Sequence, residues 1–185
     1  MRLSSPRILP LKDGEFSDDQ RKLLEPFDGH VLNIFRTLVR MPKAFEAFHR
    51  WGGYILSRRN SLNPREREIV ILRTGFLCKS GYEWAQHAKI GRREGLSDDE
   101  ITRIKRGAAA DWSEADAALL RACDELHADQ FISDEVWTAL SAHFTEAQRM
   151  DLVFTVGQYT QVSMMLNSFG VQLEGGETVD PDLKG

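Results

Sequence analysis

NPREREIVILRTGFLCKSGYEWAQHAKIGRREGLSDDE, residues 63–100, carries the clearest helix punctuation and the densest cluster of reactive side chains in the chain. Asn63 can cap a helix, Pro64 fits the first helical position, and Glu66 fits the third. Ile69, Val70, Leu72 and Phe76 follow, until Lys79-Ser80-Gly81 interrupts the pattern. Ser80, with Glu83 three residues on, has the form of a capping box and opens a second helix. Gly95 is a stop for that helix, and Ser97 with Glu100 opens a third. The reading is helix, tight break, helix. Glu83 and His87, four apart, share a face near the start of the second helix. Glu68 lies about two turns before the end of the first. A sharp turn at the break would fold Glu68 back against that face. Glu68, Glu83 and His87 would then form one cluster, walled by Tyr82, Trp84 and the apolar side of the first helix.

Outward from this stretch the pattern stays helical. Towards the N-terminus, Pro42 opens a helix with Phe45, Phe48, Gly52, Ile55 and Leu56 on one stripe. Another helix covers 31–40, and Ser17 with Gln20 caps a short one before Pro26. Residues 1–16, with Pro6 and Pro10, read as an extended arm that lies over its own domain or reaches a neighbouring subunit. Towards the C-terminus, Ser113 and Ser133 each cap a helix, and Thr145 with Gln148 caps the last and longest, to about Phe169. No strand alternation is visible, so the fold class is all-α. Residues 17–172 form a single helical domain, and 173–185, rich in glycine and acid, form a flexible tail. An offset of 82 residues aligns Asn63-Pro-Arg-Glu-Arg with Thr145-Glu-Ala-Gln-Arg and Gly75 with Gly157. If this is a degenerate two-fold repeat, Met150, Met165 and Phe169 take the places of Glu68, Glu83 and His87, so only the first copy holds proton-transfer groups.

Composition narrows the function classes. The chain has 185 residues, enough to bury a core, with 42% apolar and 28% charged residues. A net charge of −4 without a basic stripe disfavours nucleic acid. No apolar run approaches the roughly 20 residues of a membrane span, and the N-terminus has no signal-peptide core. Cys78 and Cys123, 45 apart, match neither a disulfide framework nor a zinc pattern. A cytoplasmic setting is the expectation.

The text PREREIVILRTGFLCKSGYEWAQHAKIGRREGLSDDEI resembles the carboxymuconolactone decarboxylase family, which also contains AhpD-type alkylhydroperoxidases. The resemblance rests on Arg-x-Arg-Glu, Leu-Arg, Tyr-Glu-Trp-x-x-His and Gly-Leu-Ser-x-x-Glu-Ile. It extends more weakly through Asp124-Glu-Leu and the last helix. It implies an AhpD-like helical bundle and a homo-oligomer, a trimer or hexamer, with sites near subunit contacts. In the peroxidase branch a glutamate precedes a Cys-x-x-Cys-x-x-x-His motif. Here the glutamate falls on Glu68 and the histidine on His87, while Ser80 and Glu83 stand in the cysteine positions. Cys78 is two residues too early. The decarboxylase branch keeps Glu-x-x-x-His, which Glu83 and His87 match.

The chemistry this points to needs no metal or organic cofactor. Loss of CO₂ from a carboxylated lactone, or a related unsaturated or keto acid, leaves an enolate that must be stabilised and protonated at carbon. His87, with an ordinary pKa of about 6.5, suits proton delivery; Glu83 or Glu68 would orient it. Tyr82, or the backbone N–H groups at the start of the Ser80 helix, would meet the enolate oxygen, and Arg73 would anchor a substrate carboxylate. Ser80 and Trp84 complete the expected substrate contacts. Phe48, Trp51, Tyr159, Met164 and Asn167 are further pocket candidates. Plainer readings stand beside these: Glu83 closing the cap with Ser80, Glu68 pairing with Arg65 or Arg67, and Cys78 as a small core residue. Competing functions are thiol-dependent peroxide reduction at Cys78, a divalent ion on the Glu/Glu/His set, and a non-catalytic oligomeric binding module.

Overall fold

A computed structural model describes residues 1–184. Among them there is no strand, and nine α-helices carry the fold: α1 (Asp18–Leu24), α2 (Asn33–Leu38), α3 (Pro42–Ile55), α4 (Pro64–Leu77), α5 (Gly81–Arg93), α6 (Asp98–Ile104), α7 (Glu114–Asp129), α8 (Asp134–His143) and α9 (Glu146–Phe169). The local start signals act where the sequence puts them. The Asn63, Ser17, Ser97 and Thr145 side chains all close capping boxes with the residue three positions on. No helix among the described residues is long and apolar enough to cross a membrane.

The molecule is built around α4. Ile69, Val70, Ile71 and Leu72 are all fully buried. Four consecutive residues point in four directions around a helix, so α4 must be covered on every side. Helices α5, α7 and α9 do this. Val70 faces Leu119, Leu140 and Leu152. Ile69 and Leu72 face Trp84, Ile104 and Leu120, and Ile71 meets Ile55 and Tyr159. Polar residues fall inside this shell as well, and Glu68 is as inaccessible as its neighbours.

The chain ends are drawn onto the domain. The Arg7 and Ile8 N–H groups donate to the Phe169 carbonyl, and Leu11 is buried. The tail, read as frayed, runs back across α5. Leu183 is buried beside Trp84, the N-terminal amine donates to the Leu183 carbonyl at 2.6 Å, and Lys105 pairs with Asp180 at 2.7 Å. The repeat at an offset of 82 shares its capping boxes only. The break at Lys79-Ser80-Gly81 has its counterpart in the middle of α9, which runs unbroken.

Candidate active site

Helix α4 ends at Leu77, Lys79 takes a left-handed φ of 53°, and the chain reverses into α5 at Gly81. The two helices then meet closely. A Cβ on Gly75 would stand 3.4 Å from Cβ and Cγ of Glu83, and one on Gly91 would stand 3.7 Å from Cβ of Glu68. The two glutamates pack beside these glycines as they converge on His87. The imidazole Nδ1–H donates to Glu68 Oε2 at 2.7 Å, and Nε2 is ion-paired with Glu83 Oε1 at 3.0 Å. All three side chains are buried.

Burial by itself would push the His87 pKa down. The charge of Glu68 and the hydrogen bonds from both glutamates outweigh it and hold the imidazole at about 10. Near pH 7 it is an imidazolium between two carboxyl groups. Tyr159 stands edge-on to its ring, centroids 4.9 Å apart. Burial, then the charges of Glu83 and Glu68, raise the Tyr159 hydroxyl well above its ordinary pKa.

Beside this relay lies a cavity of about 290 Å³, opening between α2, α3, α5 and α9. His87 and Glu83 line it, while Glu68 stands behind them. Its walls are mostly apolar and aromatic, among them Phe35, Phe48, Tyr82, Tyr159 and Val162. No lysine or arginine is among its lining residues.

The structure therefore brings Glu68, Glu83 and His87 together and separates the other expected residues. Tyr82 lines the cavity, but its hydroxyl donates to Glu174 Oε1 at 2.7 Å. Arg73 is turned away: it donates to Asp124 Oδ1 at 2.6 Å and to the carbonyls of Ile104 and Lys105. Trp84 packs against Phe76 with Lys105 over its ring, on the other side of α5. The Ser80 side chain makes no cap bond to the α5 backbone, and the expected box does not close: the Ser80 N–H donates to the Gly75 carbonyl at 2.9 Å, and the Glu83 carboxylate is turned to His87. The buried Ser80 hydroxyl has no partner. Arg65 pairs with Glu100 and Asp116 rather than with Glu68. Of the further pocket candidates, Phe48 and Tyr159 line the cavity. Trp51 and Met164 are exposed, and Asn167 donates to the Cys78 carbonyl.

The thiols lie elsewhere. Cys78 Sγ is 3.8 Å from His127 Nδ1, and burial raises its pKa, which the Thr160 and Ser163 hydroxyls only partly offset. Cys123 is fully buried and pushed up to about 12, first by burial and then by Asp124. Among the described residues no set of three His, Cys, Asp or Glu side chains is placed to hold a metal ion.

Sequence reasoning passed over Gln158. It is 4% exposed and lines the cavity. Its Oε1 is buried without a partner, a situation that costs about 1–3 kcal/mol when nothing fills the gap. The available signal was its place on the buried stripe of α9, between Thr155, Tyr159 and Val162.

Residues 42–125 match the model of the carboxymuconolactone decarboxylase family. No curated protein matches the chain. Among solved structures, an alkylhydroperoxidase AhpD core, an uncharacterized peroxidase-related protein from Ralstonia eutropha JMP134, superposes with a TM-score of 0.80 at 22% identity, over 92% of this chain and 93% of that one. An uncharacterized peroxidase-related protein from Silicibacter sp. TM1040 gives 0.75 at 15%, over 94% and 92%. The debrominase Bmp8 in complex with 2,3,4-tribromopyrrole gives 0.75 at 13%, over 93% and 94%. At these identities the likeness is one of fold.

Proposed function

From a chain whose residues 42–125 carry the carboxymuconolactone decarboxylase family pattern on an AhpD-like helical fold, we propose a cofactor-free acid/base enzyme acting on a small unsaturated carbonyl compound. One observation supports this most: His87 is held at both ring nitrogens by carboxylates, and one of these, Glu83, lines an apolar cavity. Glu68 fixes the imidazole from behind. A proton can pass between Glu83 and the substrate carbon while His87 replaces or receives it. Proton transfer from a positioned group is typically worth about 10²–10⁴ in rate.

The finer reading is a carboxy-lyase. A carboxylate seated in this cavity would find no lysine or arginine to anchor it and would face Glu83. Release as CO₂ removes that buried charge, and the enolate left behind takes its proton from the relay. Self-association is part of the same proposal. Trp51, Met150, Val153 and Phe154 leave an exposed apolar strip on α3 and α9, with the Trp51 and Phe154 rings 5.5 Å apart.

The test is a screen of carboxylated unsaturated lactones and β-keto acids in D₂O, without added metal or thiol. CO₂ release and proton NMR are the readouts. Wild type should turn over at least one compound, and His87→Gln should lose about 10²–10⁴ in kcat with an unchanged circular dichroism spectrum. Equal turnover by the two proteins would remove the mechanism.

A further inference from the structure

We propose that Gln158 is the hydrogen-bond donor for the substrate's carbonyl oxygen, and for the enolate that develops there; this rests on the acid/base reading of the relay. The reaction needs two things on opposite sides of one small molecule: a proton-transfer group at carbon and a donor at oxygen. The relay supplies the first. For the second, the groups expected from sequence are engaged elsewhere. The Tyr82 hydroxyl is held by Glu174, and Arg73 by Asp124. No lysine or arginine is among the lining residues, and His87 is taken up by its two glutamates, which leaves a neutral amide as the donor for the oxygen.

Gln158 fits this requirement. Its amide is buried and lines the cavity, makes no hydrogen bond within the described chain, and has an oxygen without a partner. The two ends of an amide are interchangeable by rotation, so the N–H₂ end can be the one presented to a ligand. It lies against α3 where that helix has a glycine: a Cβ on Gly52 would stand 3.6 Å from Gln158 Nε2. Gly52 thus leaves room beside the amide. The next residue, Tyr159, touches the His87 ring edge-on, so the donor neighbours on α9 the residue that meets the relay.

The step balances without another reagent. In exchange a C–H bond breaks, its proton goes to the Glu83 carboxylate, and its electron pair moves through the adjacent carbon onto the carbonyl oxygen; in decarboxylation the C–CO₂⁻ bond breaks, CO₂ leaves, and the pair moves the same way. The Gln158 N–H bonds that oxygen. The pair then returns to carbon, which takes its proton back from Glu83 in exchange, or in decarboxylation takes the His87 proton passed on through Glu83, His87 regaining one from solvent. The substrate class is a flat unsaturated ketone or lactone whose polar end is one carbonyl.

The experiment compares two probes of similar shape, 4-phenyl-2(5H)-furanone, which has the carbonyl, and 1-phenylcyclopentene, which has none. Kd is measured by ligand-observed NMR for wild type, Gln158→Leu, the near-isosteric Gln158→Met, and Tyr159→Phe. Wild type should bind the furanone at least tenfold tighter than the hydrocarbon. Both Gln158 variants should lose that preference and keep the hydrocarbon affinity, a pattern that a misfolded cavity would not give. The inference is overturned if the preference survives in the Gln158 variants, if Tyr159→Phe alone removes it, or if wild type binds neither probe. Deuterium exchange into the bound furanone is followed in parallel. Gln158-dependent binding without exchange would leave the donor in place and refute the acid/base reading.

Discussion

His87 has the environment that sets the chemistry. A histidine between two glutamates is held as a cation that solvent hardly reaches. Its pKa is raised in the folded chain to about 10, against about 6.5 when unfolded. Folding therefore takes up a proton as the pH rises above the unfolded value. The stabilisation is complete below about pH 6.5 and is lost as pH climbs through 10. Urea midpoints for wild type should fall over that window, and His87→Gln should flatten the slope. A wild-type profile that stays level from pH 6 to 10 would show that the imidazole is not held as a cation. Glu100 has the opposite sign. Burial pushes its carboxyl up, but the Ser97 backbone N–H and the Arg65 guanidinium bring it down to about 2. Its contribution is present above pH 4.5 and fades as the pH falls through 2.

The hairpin of α4 and α5 is the element that makes the relay. Its beginning is local chemistry: the Asn63 side chain accepts from the Glu66 N–H, and Glu66 answers to the Asn63 N–H. Asn63→Ala should cost about 1 kcal/mol in urea denaturation, with little effect on ligand binding because the relay begins further along. A loss well above 2 kcal/mol would mean that the cap also holds the loop before it. The break is different in kind. Ser80 and Glu83 have the spacing of a capping box, yet the box stays open: the Ser80 N–H goes to the Gly75 carbonyl, and the Glu83 carboxylate goes to His87. A pattern over four residues is legible only when no other partner bids for the same groups. The same holds for Arg73, whose partners come from 31 to 51 residues away.

At the scale of the whole molecule, the tail and the cavity are linked. Glu174 holds the Tyr82 hydroxyl, and Glu177 holds Gln86 and Lys89. Tyr82 and Gln86 both line the cavity. Leu183 anchors the far end of the segment among Trp84, Ile104 and Leu120. Leu183→Ala should lower stability by roughly 2 kcal/mol and open residues 173–184 to limited proteolysis. Unchanged resistance of that segment to protease would show that its ion pairs suffice to hold it.

What the sequence determined by itself was the all-α class, the helix starts at Asn63, Ser97 and Thr145, and the convergence of Glu68, Glu83 and His87. These depend on caps, a 3.6-residue period and one short break, all of which are local. Only the tertiary structure decided which groups face the cavity. Trp84 adjoins Glu83, and Arg73 shares α4 with Glu68, yet groups from elsewhere in the chain claim them. Gln158 lies far along the chain, and its importance rests on a missing hydrogen bond. Periodicity says that a side chain is buried. Whether it is also satisfied depends on every element packed around it.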